Sequence, residues 1–317
     1  MPADSAENPA RTRLVSIVAQ DPAVRFNGKI VRAAVPIPAE VLLPGPRGYR
    51  VHVIDYDAAA NMLYPPCVLG DDDDPIARAS DDQLLSDPRL HALNVYALVM
   101  RTLARFEHAL GRRVSWGFSG HQISVAPHAF ADANAFYSED DHGLMFGYFP
   151  ARKSGTVFSC LSHDVVVHES THALLDGLRT RYTDPSSPDQ AAFHEGFADI
   201  VALLSVFALR DVVKMLIDLD LGPQRDDKLI SAKALTPRRL RESVLLKLAD
   251  QMGKELFGIR GKALRQSADL TPQQVDLKSE EFQESHRRGE VLVAAMLNAF
   301  IEVWHERMQT LGALQEG

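Results

Sequence analysis

The tightest constraint in the chain is the segment Ser162-His-Asp-Val-Val-Val-His168-Glu169-Ser-Thr-His172, which sets an HExxH pattern inside a helical apolar periodicity. Residues four apart on a helix lie about 400° round, roughly 40° from eclipsed, so His168 and His172 project side by side and can chelate one ion. Glu169 lies about 100° from His168, which leaves its carboxylate outside the ligand pair and free to act as a base on water.

A catalytic zinc takes three protein ligands and keeps one position open, so a further ligand must come from elsewhere in the chain. Downstream, Phe193-His194-Glu195-Gly-Phe-Ala-Asp199-Ile200 opens an apolar helical stretch in which Glu195 and Asp199 are again four apart, among Phe197, Val201 and Leu204. Two carboxylates on so apolar a helix need partners. Glu195 as third ligand and Asp199 as acceptor of a ligating histidine's free ring N–H satisfy both. The competing reading places the two in a solvent-facing first turn, where acidic residues suit the helix dipole. His194 diverges from Glu195 by about 100° and competes poorly for the same ion.

A length of 317 residues, 46% hydrophobic and 24% charged, suits a folded soluble protein with a full core and excludes disordered and fibrous classes. The net charge of −8 and the lack of a dense Lys/Arg cluster argue against nucleic acid as a partner. Cys67 and Cys160 are too few for a disulfide framework or a cysteine-rich metal site and read as buried thiols. No run of 18 apolar residues and no signal-peptide pattern occurs, so no membrane partner and a cytoplasmic location are expected.

Along the chain, Lys29-Ile-Val31 and Tyr49 to Tyr56 read as strands, as do Val114-Ser-Trp116, Gln122 to Val125 and Leu144 to Tyr148. The acidic run Asp71 to Asp74 before Pro75 reads as a loop. Leu90 to Leu110 has the spacing of an amphipathic helix stopped by Gly111, and Ser162–Leu175, Ala191–Leu209, Pro237–Leu256 and Val291–Gln309 read as helices. The expected class is α+β: a β-rich amino-terminal domain over 1–160 and a helical domain over 161–317, with the HExxH helix at the junction and the site in the cleft there.

HExxH followed by a helix bearing Glu-x-x-x-Asp resembles the thermolysin family of gluzincin metallopeptidases. Asn134-Ala135-Phe136-Tyr137 is similar to the family segment that forms an edge strand for substrate backbone pairing, and Ser285-His286-Arg-Arg-Gly-Glu to a segment where a histidine precedes a glycine and a helix. The resemblance covers about Asn134 to Phe207, with the His286 segment beyond it. It implies a thermolysin-like fold and Zn2+ on His168, His172 and Glu195, with Glu169 as general base and Asp199 as outer partner of His168. It further implies His286 and Tyr182 as donors to the developing oxyanion, and Asn134 and Ala135 as substrate-binding.

Departures are His194 where the family usually has Asn, and Val206 where a calcium carboxylate is expected, so the family's calcium site is not expected despite Asp164. The implied activity is hydrolysis of peptide or protein substrates. Endopeptidase action is favoured because no Gly-x-Met-Glu-Asn element of gluzincin aminopeptidases occurs. Two rivals stay open: a catalytically idle, zinc-stabilised binding domain, and a zinc amidohydrolase acting on a non-peptide amide.

Overall fold

The computed structural model of the chain describes residues 12–70, 73–151, 155–179, 186–210, 212–213, 215, 230–231, 236, 270, 272–310 and 314–315. The expected helix over 237–256 lies outside them. The described part is mixed α/β, strand-rich in its amino-terminal half and helical in its carboxy-terminal half.

Strand β1 (Thr12–Val18) pairs antiparallel with β2 (Arg32–Pro38), whose alternating burial turns Ala33, Val35 and Ile37 inward. A second sheet holds five strands. β3 (Val51–Val53) and β4 (Ile123–Phe130) run parallel, and β6 (Gly143–Pro150) runs parallel to β4 on its other side. β5 (Ala135–Ser138) and β7 (Thr156–Phe158) both pair antiparallel with β6. Lys29–Ile30 forms only a two-residue ladder with Arg25–Phe26.

Val114-Ser-Trp116 is not a strand. The backbone groups of Val114 are satisfied by side chains: Glu107 Oε1 accepts from Val114 N at 3.1 Å, and the Arg50 guanidinium, itself over the Trp116 ring, donates to the Val114 carbonyl. The acidic run ends as a cap. Asp74 accepts from Ala77 N at the start of the turn Pro75–Arg78, and from Ser16 N and Oγ at 3.0 and 2.8 Å, which ties that turn to β1.

Helix α1 (Pro88–Leu110) starts at an Asp87 cap with proline in its first turn and ends on Gly111, whose φ of 64° suits a residue without a side chain. It is not amphipathic through its length. Every residue from Leu90 to Leu103 is buried, because the helix runs between the sheet strands and the next helix, α2 (His163–Leu178). Polar groups along it find partners: Asn94 accepts from Val18 N at 2.9 Å and donates to the Cys160 carbonyl at 3.0 Å.

Helix α3 (Pro188–Phe207) packs on α2, and α4 (Ser285–Thr310) packs on α3. Gly196 and Gly289 bring the backbones of α3 and α4 into direct contact. A Cβ on Gly196 would sit 2.8 Å from the Gly289 carbonyl oxygen, and one on Gly289 would sit 2.8 Å from that of Ala192, so both positions require the missing side chain. One hydrophobic cluster runs from Val15 to Val212 and so continues across residue 160, the boundary expected between halves. No described helix is long and apolar enough to cross a membrane.

Candidate metal centre

Helix α2 is buried from His163 to Asp176, so its polar side chains must be satisfied inside the protein. Ser170 and Thr171 do this locally, each hydroxyl donating to the carbonyl four residues back at 2.6 and 2.7 Å. His168 and His172 turn toward each other, rings 4.5 Å apart and nearly perpendicular, with their Nε2 atoms 2.8 Å apart.

Helix α3 starts at Pro188, with the Ser187 side chain accepting from Gln190 N, so Glu195 stands two turns inside it. The first-turn, solvent-facing reading of Glu195 and Asp199 fails for that reason. Their side chains are 18% and 16% exposed and point at α2. Glu195 Oε2 lies 3.4 Å from His168 Nε2 and 3.7 Å from His172 Nε2, and these three residues offer donor atoms all within 4.8 Å of one another. That buried oxygen completes no hydrogen bond among the described residues, the condition of an atom placed for a cation.

The charges agree with this. Burial works to raise the Glu195 pKa, but the His168, His172 and His286 rings drive it far below the usual carboxylate range. Burial works to lower His168, yet Asp199 and Glu195, with Glu169 adding its charge, lift it well above the ordinary histidine value. The pocket favours positive charge between these groups.

Outer partners fix the tautomers. Asp199 Oδ1 lies 2.8 Å from His168 Nδ1, so that nitrogen donates, and a cation that takes the place of the ring's second proton meets the Nε2 lone pair on the side that faces Glu195. His194, flagged as a departure, takes the matching place on the second histidine: its Nδ1 is 2.6 Å from His172 Nδ1, with the rings stacked 4.7 Å apart. Burial and the His172 ring push His194 down to about 4, so it is neutral at pH 7 and can accept from His172 Nδ1–H. A lone pair on His172 Nε2 requires that arrangement. Asp199→Ala is expected to lower metal affinity or activity roughly 10- to 100-fold, measured by chelator competition and steady-state rates. No change in either would return Asp199 to a packing role.

The Gly196–Gly289 crossing carries the first turn of α4 over the site. His286 Nε2 comes to 3.1 Å from Glu195 Oε2, while His286 Nδ1 lies 2.6 Å from Glu284 Oε1. Glu284 also accepts from the backbone N–H groups of His286 and Arg287, so one carboxylate both caps α4 and orients the ring. Burial would raise Glu284, but His286 and those backbone donors hold it below its ordinary value. Neither Glu284 nor the role of His194 was read from sequence. The available signals were an acidic residue two before His286 and the extra histidine beside Glu195.

Glu169 is buried on α2, next in sequence to His168. Asn134 and Ala135 belong to the expected substrate edge. β5 pairs with β6 and with no other described strand, its Ala135 is buried and its Phe136 is exposed. It packs on α2, where Tyr137 donates to Asp176 Oδ2 at 2.8 Å, one turn past His172. Tyr182 lies outside the described residues. Comparison of the chain with protein-family models, with curated proteins and with solved structures finds no match.

Proposed function

We propose that this chain is a zinc-dependent metallopeptidase of thermolysin-like architecture that holds Zn2+ on His168, His172 and Glu195. The observation that carries the reading is the gathering of the buried Glu195 Oε2 and the His168 and His172 rings, whose donor atoms lie within 4.8 Å of one another, with Asp199 and His194 at the outer nitrogens of the two rings. Two imidazoles and a carboxylate are a donor set suited to catalytic zinc.

Zinc bound there supplies Lewis acidity and makes water a nucleophile near neutral pH. The chain supplies the rest. Glu169 takes the proton of the attacking water and returns it to the leaving nitrogen. His286, held by Glu284 at Nδ1, presents Nε2 to the oxygen that gains charge. The β5 edge, which starts at Ala135 just after Asn134, offers backbone pairing to an extended peptide, and the family resemblance implies Tyr182 as a second donor.

Incubating the purified chain with a mixed peptide library, with and without a chelator, tests this. Internal peptide bonds are expected to be cut, with cleavage abolished by the chelator and restored by zinc. A zinc-loaded chain that cuts no peptide would favour the binding domain or a non-peptide amide substrate.

His286→Ala is expected to keep zinc and fold while kcat and kcat/KM fall together by roughly 100- to 1000-fold, as for a donor made only in the transition state. A loss confined to KM would make His286 a substrate-binding residue instead.

A further inference from the structure

Three buried side chains that the proposed peptidase chemistry does not use come together at the root of α2. His91 lies on α1, His128 on β4, and Cys160 in the single turn Ser159–Leu161 that leads into α2. They are 1%, 2% and 0% exposed. One nitrogen of each ring and Cys160 Sγ all lie within 4.8 Å of one another.

The outer partners decide where the ring protons sit. His91 Nε2 is 2.9 Å from the Leu84 carbonyl oxygen, which only accepts, so Nε2 carries the hydrogen. His128 Nδ1 is 2.9 Å from both carboxylate oxygens of Asp55, so it carries hydrogen as well. In neutral rings the lone pairs are then on His91 Nδ1 and His128 Nε2, and those two atoms face each other at 2.8 Å. Two lone pairs so placed repel unless a positive species lies with them, either a shared proton or a metal ion.

The arrangement repeats that of His168 and His172, whose inner nitrogens are also 2.8 Å apart while an acceptor holds the outer nitrogen of His168. A sulfur beside the two nitrogens offers a metal ion a third donor, which a hydrogen-bonded ring pair does not need. We propose that His91, His128 and Cys160 form a second, structural metal site for a divalent cation of the zinc class, with Asp55 as the outer partner of His128.

Two imidazole nitrogens and a thiolate sulfur are a donor set that suits such an ion. A thiolate and the Asp55 carboxylate together match a charge of two in a core too dry to hold it unpaired. The Cys160 thiol, which burial and then Asp55 raise well above its ordinary value, gives its proton to solvent as the sulfur–metal bond forms. Ligand distances of about 2.0–2.1 Å require the two nitrogens to open by roughly half an ångström. The ion would staple α1 and β4 to the turn that begins the HExxH helix. The site is independent of the peptidase reading, because it shares no residue with it.

The test uses the full chain with His168→Ala and His172→Ala together, which empties the first site. About one zinc per chain is expected to remain, and cobalt substitution is expected to give a near-ultraviolet thiolate-to-cobalt band, which the sulfur-free first site cannot produce. Cys160→Ser in that background should remove both. Zinc-edge X-ray absorption on the double variant needs no core substitution and should read one sulfur with the nitrogens. A folded double variant that holds no zinc and gives no thiolate band overturns the site, as does a zinc shell without sulfur.

Discussion

Replacing Glu169 with Gln is expected to leave zinc in place and to remove nearly all turnover, a loss of roughly 10²- to 10⁴-fold in kcat. Gln keeps the size and the hydrogen-bonding reach of the buried side chain but cannot take a proton from water. The His168, His172 and Glu195 donor atoms that gather within 4.8 Å do not include this carboxylate, so the metal has no reason to leave. Zinc content and steady-state cleavage measured on the same preparation give the answer. Unchanged peptide cleavage would remove Glu169 from the chemistry, and an equal loss of metal would make it part of the ligand set.

Ala at His168, His172 or Glu195 is the second large effect. Each change takes one of three donors from the cation and is expected to weaken zinc at this site by more than the roughly 10- to 100-fold expected of an outer partner such as Asp199. Activity should fall with occupancy. Glu195→Ala is the sharpest of the three tests, because its buried Oε2 faces the His168, His172 and His286 nitrogens at 3.1–3.7 Å and is the only carboxylate oxygen in the gathered donor set. Metal content and chelator competition on each variant check this. Full zinc occupancy at this site in all three would sink the ligand assignment.

Where a relation was local, the residues announced it. A separation of four on a helix is a geometric statement, so the shared face of His168 and His172, the divergent position of Glu169 and the common face of Glu195 and Asp199 could be read before any fold was known. The long helix was legible from Leu90 to Gly111, but its spacing read as amphipathic. Burial all round, with Asn94 bonded to both β1 and the Cys160 carbonyl, came from packing on two sides. Val114 to Trp116 looked like a strand because β-propensity says nothing about whether Arg50 and Glu107 will take the backbone's hydrogen bonds instead.

Residue order alone placed two imidazoles on one helix face, a carboxylate beside them, and two carboxylates four apart on a second apolar helix. What those faces meet was settled by the packing of the helices. The bare contact of Gly196 with Gly289 lets α4 approach closely enough to set His286 3.1 Å from Glu195. The stacking of His194 on His172 gives a ring partner to that histidine, where spacing had said only that His194 competes poorly for the ion. His91, His128 and Cys160, scattered along the chain, share one buried point because α1, β4 and the turn before α2 pack there. Backbone geometry fixes neighbours within a turn of helix, whereas contacts between distant segments are settled by which surfaces fill one another's space, and no residue spacing records that.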